Sequence, residues 1–226
     1  MATKFLQYLS GIMLLSAFSI TSFAFSESDF EDTSDLYSIE VIVFKFNQLE
    51  DSDTSLWKPT LPLTLNNAYE INAPKKVEFI NAELPPPVQA ITPLSPAEYL
   101  LKREKNRIAN NNQYTLLLHT GWKQKLSDLN GTKSVHIHGG AMFDRNNEDI
   151  DEIDGTITIS KNRFINIKTN LFLTEPSYEI AEISNGLFSY PMQNSRRTKE
   201  NELNYIDNPV FGLLIKITPP QEKETA

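Results

Sequence analysis

Arg196 and Arg197 stand side by side, and Lys199, Glu202, Tyr205 and Asp207 follow closely. Guanidinium groups present planar forks that match carboxylates. Tyrosine adds a face that is apolar on its ring and polar at its tip. The set therefore suits a ligand bearing carboxylates and hydroxyls. It also suits internal ion pairing. Neighbouring strand residues point to opposite faces, so two adjacent arginines do not converge easily on one ligand. Glu40 is the other singular charge: it shares a face with Ile42 and Phe44 inside an apolar segment. A carboxylate there needs a cation or hydrogen-bond donors. One arginine is a candidate to neutralise Glu40, Glu202 or Asp207, and removing one member of such a buried pair costs roughly 3–5 kcal/mol. Ligand binding and internal neutralisation both stand at this point.

Catalytic chemistry has less support. Glu200, Glu202 and Asp207 imitate a glycosidase pair, but their arginine and lysine neighbours indicate ion pairing, whereas a general acid usually needs an apolar setting. His136 and His138 have metal-ligand spacing, yet only one other histidine exists and there is no cysteine. A polar strand face is the preferred reading over a zinc site, which needs a third and usually a fourth ligand. Asp149, Asp151 and Asp154 lack the oxygen spacing of an EF-hand, so residues 144–154 read as a hairpin tip or surface loop. No phosphate-cradling glycine loop, nucleophile elbow or H-E-x-x-H pattern occurs. The chain reads as non-enzymatic, with no cofactor and no metal.

The formal net charge is −8 over 226 residues, which argues against nucleic acid as a partner. Residues 1–24 read as a secretory signal peptide. Lys4 precedes an apolar run, and Ser22-Phe23-Ala24 supplies the small residues before a cut after Ala24. An uncleaved anchor is the alternative, diluted by Gln7, Ser10, Ser16 and Ser19. After cleavage nothing is apolar enough to span a bilayer, and the expected location is the periplasm. Residues 25–35 form an acidic, mobile leader.

The elements that must position these groups follow in order. Residues 36–46 are apolar on both faces and read as a central strand. Residues 58–96 form a proline-rich insert, anchored by nearby Trp57, with a short strand at 77–80. Ser95-Pro96-Ala97-Glu98 is a capping box, so a helix is expected over residues 96–110. Lys102, Arg103, Lys105 and Arg107 form its solvated face. Residues 114–124 alternate, placing Tyr114, Leu116, Leu118, Thr120 and Trp122 on one face, with Trp122 as core, and His119 and Lys123 on the other. A third strand lies at 134–140. Residues 155–160 and 164–173 form a hairpin, and residues 178–183 and 187–198 another, turned at Asn185-Gly186. Asp207-Asn208-Pro209 reads as a turn that starts a short helical turn, and residues 212–218 as a last central strand. The fold class is α+β: a largely antiparallel, strongly twisted sheet, one main packed helix and long proline-rich connections. It is one domain over residues 36–219 with a polar tail at 220–226.

Four segments together carry a resemblance. They are Tyr37-Ser-Ile-Glu-Val-Ile-Val-Phe, Tyr114-Thr-Leu-Leu-Leu-His-Thr-Gly-Trp-Lys-Gln, Asp154-Gly-Thr-Ile-Thr-Ile with the strand after it, and Arg196-Arg-Thr-Lys-Glu-Asn-Glu-Leu-Asn-Tyr-Ile-Asp-Asn-Pro-Val-Phe-Gly. Their order and content resemble the CsiV family of periplasmic proteins of diderm bacteria. The resemblance implies a non-enzymatic, peptidoglycan-binding protein. It would support cell-wall synthesis by a class A penicillin-binding protein through that enzyme's lipoprotein activator, LpoA. The family pattern has histidine where Asn204 and Asn208 stand and arginine where Lys199 stands. A metal or proton-transfer role for those histidines does not operate here, but hydrogen bonding survives, since asparagine donates and accepts. An envelope scaffold without wall affinity, or a wall hydrolase using Glu200 or Glu202, are the alternatives.

Overall fold

β1, Leu36–Phe46, is buried from Ile39 to Phe44 because both of its faces are apolar. It is the middle strand of the first of two sheets. The computed structural model describes residues 35–47, 69–70, 91–128, 131–145, 147–176 and 186–220. In chain order the further elements are β2 (Tyr69–Glu70), β3 (Thr92–Pro93), α1 (Lys102–Ala109), β4 (Tyr114–Lys125), β5 (Val135–Arg145) and β6 (Glu148–Lys161). β7 (Ile165–Pro176), β8 (Leu187–Thr198), β9 (Leu203–Asp207) and β10 (Phe211–Thr218) follow. The described part is thus mostly antiparallel sheet with one helix. The first sheet runs β3-β4-β1-β10-β9 and the second β2-β5-β6-β7-β8. Every pairing is antiparallel except the short β2 with β5.

The two sheets share one core. Ile39, Val41 and Trp122 from the first meet Ile157, Ile167 and Leu171 from the second, all fully buried. A smaller cluster lies on the outer face of the first sheet, where Ile42 and Phe44 pack against Leu101 and Ile108 of the helical segment. Polar contacts join the sheets. Lys45 Nζ of β1 donates to Glu152 (2.5 Å) and Glu175 (3.1 Å) of the second sheet. Gln124 accepts from the Trp122 indole at 2.5 Å and donates to the Ile159 carbonyl at 3.4 Å.

Several expectations need correcting. The strands divide into two sheets rather than one, although β1 and β10 are interior as expected. The helix begins at Lys102, not residue 96. Ser95 and Glu98 do close the capping-box contacts, with Glu98 accepting from the Ser95 N–H (2.9 Å) and hydroxyl (2.8 Å), but they form a turn. The chain then breaks at Tyr99 and Leu100, because the N–H groups of Leu100 and Leu101 are taken by Glu40. In β4 the pairing with β1 shifts register between Val43 and Phe44, at the level of Leu117. That bulge sends Tyr114 and Leu116 to the helix side, while Trp122 stays in the shared core. Of the two readings of residues 144–154, hairpin tip and surface loop, the hairpin tip holds: β5 and β6 pair through Arg145↔Glu148, leaving a tight turn around Asn147. Residues 207–209 start no helical turn. Asn208 accepts from the N–H groups of Val210 (2.9 Å) and Phe211 (2.8 Å) and joins β9 to β10. The expected strands at 77–80 and 178–183, Trp57, and the segments 1–24 and 25–34 lie outside the described residues.

Candidate functional site

Glu40 sits beneath the helical segment. Its carboxylate accepts from Leu100 N–H at 2.7 Å, Leu101 N–H at 2.9 Å and His119 Nε2 at 2.8 Å. Burial would push its pKa up, but these hydrogen bonds outweigh burial and hold it below the usual carboxylate range. The donors that Glu40 requires are therefore a helix start and a histidine, and neither Arg196 nor Arg197 is among them. Tyr99 covers the His119 ring at 4.4 Å between centroids.

The polar cluster after residue 195 forms a seam between the sheets. β8 is the edge of the second sheet and β9 the edge of the first. Arg196 Nη1 donates to the Tyr205 carbonyl at 2.8 Å. Asn204 Nδ2 donates to the Thr198 hydroxyl at 2.7 Å, and that hydroxyl donates to Glu202 at 3.1 Å. Asn208 Nδ2 donates to the Pro191 carbonyl at 3.1 Å. Glu202 also accepts from Lys199 N–H at 3.2 Å, which with Thr198 lowers its pKa. Burial and a hydrogen bond to Asp207 raise the pKa of the Tyr205 phenol. The structure thus gathers Arg196, Glu202, Asn204, Tyr205 and Asn208 along one seam. It leaves Glu40 under the helix and turns Arg197 elsewhere.

Arg197 belongs to the outer face of the second sheet. Strand register aligns Thr156 with Asn170 and Gln193, and Thr158 with Lys168 and Ser195. With Ser134 they border a shallow depression of about 490 Å³. Its members bond to one another: the Ser134 and Thr158 hydroxyls lie 2.7 Å apart, and Gln193 Nε2 donates to Asn170 Oδ1 at 3.0 Å. The alternation of β8 puts Arg197 on the same face as Ser195, one step beyond the depression. Its guanidinium carbon lies 5.5 Å from the centroid of Phe164, and that of Arg163 lies 5.6 Å from the same ring. This shelf of hydroxyls, amides and cations is invisible residue by residue. Its only linear trace is polar alternation, Thr156/Thr158, Lys168/Asn170 and Gln193/Ser195, on three separate strands.

A second depression of about 490 Å³ lies on the outer face of the first sheet, between α1 and β9. Phe44, Ile108, Tyr114, Leu203, Tyr205 and Leu214 line it, together with the polar Glu104, Arg107 and Asn111. Tyr205 lies parallel to Phe44 with centroids 6.4 Å apart. On the second sheet His136 pairs with Asp154 (2.5 Å) and His138 with Asp151 (2.9 Å), their rings stacked. Among the described residues no three histidine or carboxylate side chains converge as metal ligands, and no helix is long and apolar enough to cross a membrane.

A family model described as "Peptidoglycan-binding protein, CsiV" matches residues 9–220. No curated protein matches the chain, and no solved structure does.

Proposed function

The chain belongs to the CsiV family of peptidoglycan-binding proteins, and from that premise we propose that it holds peptidoglycan on the outer face of the second sheet. The family's description also points to the cell envelope as its place. The observation that carries the assignment of the face is the register itself. Hydroxyl and amide side chains of β6, β7 and β8 line up side by side with Lys168 among them. Glycan hydroxyls and acetamido groups both donate and accept, as Thr, Asn and Gln do. A shallow shelf suits a polymer, which must lie across the protein rather than enter it.

Binding here is non-enzymatic. Of the carboxylates proposed for hydrolysis, Glu202 is engaged by Thr198 and Lys199, and Glu200 by Lys161 at 2.7 Å and Tyr37 at 2.8 Å. Both are held below the usual carboxylate range by these bonds, which suits ion pairing better than acid catalysis. The proposal includes export to the periplasm with cleavage after Ala24. It also includes support of a class A penicillin-binding protein through LpoA, a part that rests on the resemblance of the four sequence segments.

Purified sacculi test the face. The triple substitution Thr158→Val, Asn170→Ala and Gln193→Ala should lower the bound fraction in a pull-down at least about tenfold, the weight of one or two lost hydrogen bonds. Leu203→Ala with Tyr205→Ala, on the other face, should leave it unchanged. Equal retention by the first variant, folded by circular dichroism, sinks the assignment. Release of soluble muropeptides by the wild type would restore the hydrolase reading.

A further inference from the structure

Arg163 and Phe164 lie at the tip of the hairpin joining β6 and β7, and Arg197 reaches the same ring from β8. Phe164 is 47 % exposed. Among the described residues neither guanidinium has a carboxylate partner. By contrast, Lys161 bonds Glu200, and Lys125 reaches Asp35 at 3.3 Å. A chain with net charge −8 has acids to spare for pairing, so two free forks beside one exposed ring mark a place kept open.

The ring explains how the forks are held. A guanidinium over an aromatic face is attracted by the ring quadrupole, and it keeps its N–H edges free while doing so. Holding a long side chain in one place lowers the entropy lost when a ligand arrives. Two such forks donate paired, charge-assisted hydrogen bonds to a carboxylate. The exposed part of the Phe164 ring offers contact to a small apolar group next to that carboxylate. Along β8 the tip follows directly from the shelf, since Ser195 borders the depression and Arg197 is its next neighbour on that face.

Resting on the peptidoglycan reading, we infer that Arg163, Phe164 and Arg197 form a carboxylate-reading subsite at the end of the shelf. It selects glycan strands whose stem peptides still carry free carboxylates over strands stripped of peptide. Peptidoglycan supplies both halves of this ligand: hydroxyls and acetamido groups along the glycan, and methyl-bearing residues with carboxylates on the peptide. Heavily crosslinked or peptide-free material presents fewer carboxylates and would be held by the shelf alone.

The test uses the full mature chain and two soluble probes prepared from the same sacculi: glycan strands with intact stem peptides, and strands from which an amidase has removed them. Affinity is measured for each by fluorescence anisotropy. Wild type should bind the peptide-bearing strands about tenfold or more tightly than the stripped ones, the weight of a charge-assisted bond. Arg163→Ala with Arg197→Ala should abolish that preference while keeping the affinity for stripped strands. Arg163→Lys with Arg197→Lys, which retains charge but loses the fork, should keep only part of it. Equal binding of both probes by wild type overturns the inference, as does a preference that survives the alanine pair. Absence of binding to either probe overturns the peptidoglycan reading beneath it.

Discussion

On the outer face of the first sheet, Ile42, Phe44 and Leu214 are covered by the helical segment and its neighbours. On the outer face of the second, Thr156, Thr158, Asn170 and Gln193 border an open depression, and no helix among the described residues lies over them. Both sheets turn the same kind of apolar side chains inward. The difference is set outside the core. An apolar outer face must be covered, and the cover must be tied down, which here falls to Glu40. A polar outer face needs no cover and remains available to a hydroxyl-rich polymer. One sheet spends its outer face on the fold and the other leaves it open, and that open face is the one proposed for binding.

The largest expected effect breaks the second sheet itself. Gly155 has φ +144, and a Cβ there would stand 2.2 Å from the Asn170 carbonyl oxygen and 2.7 Å from the Leu171 Cα. Backbone of β7 cannot yield as a side-chain tip would. Gly155→Ala should cost about 3 kcal/mol or more in urea unfolding, combining strain with a clash. A loss under about 1 kcal/mol would show that β6 and β7 pair differently.

Next comes the tie on the covered face. Glu40→Ala leaves the Leu100 and Leu101 N–H groups and His119 without their acceptor. The expected cost is about 3 kcal/mol, with faster amide exchange across α1. Glu40→Gln should cost less, since one oxygen still accepts. The folded pKa of Glu40 lies below its unfolded value, so its contribution is complete above the ordinary glutamate range and is lost as pH falls through the lower folded pKa. The stability difference between wild type and Glu40→Gln should therefore narrow in acid. A difference that widens there contradicts the sign.

Individual strands were legible in the sequence, the division between two sheets was not, and the failures are instructive. β1 and β10 announce themselves because both faces are apolar, and Glu40 stands out as a charge needing donors. Which donors it finds was not legible. Two backbone N–H groups leave no mark in a sequence, and by taking them Glu40 also moves the start of the helix past the capping box. The partition into two sheets depends on pairings between distant strands. β9 leaves no strand signal because its alternation, with Asn204 and Ile206 buried and Leu203, Tyr205 and Asp207 exposed, inverts the usual pattern of polarity at three positions. Arg196 and Arg197 were legible as diverging; what each meets was not, since Tyr205 offers a carbonyl and Phe164 lies far back along the chain.

The seam between the two edges should have an intermediate effect. Asn204 is buried and binds the Thr198 hydroxyl. Asn204→Ala and Thr198→Ala should each destabilise by about 1–2 kcal/mol. A double-mutant cycle should return a coupling of about 1 kcal/mol, as direct partners do. Independent, additive losses would mean that the two residues serve their own sheets and not the join. Sacculus binding should survive both changes at temperatures where the variants remain folded.

The smallest effect sharpens the contrast from the covered side. Glu98 closes the turn before the helix and meets Lys123 Nζ at 2.5 Å, but its side chain is 41 % exposed and that of Lys123 35 %. The hydrogen bond from Lys123, then those from Ser95, lower its pKa to about 2. Read without regard to solvent, that shift would suggest a strong contact. Exposed pairs are screened and lose side-chain freedom on forming, so Glu98→Gln should cost only a few tenths of a kcal/mol. The sign is that of Glu40: the contribution is complete above the unfolded glutamate pKa and disappears as pH falls through about 2. Because only the buried carboxylate carries the helix, 0.5 M salt should erase the Glu98→Gln effect and leave most of the Glu40→Gln effect. Equal salt sensitivity of the two would place Glu40 in contact with water and remove the distinction between a covered face and an open one.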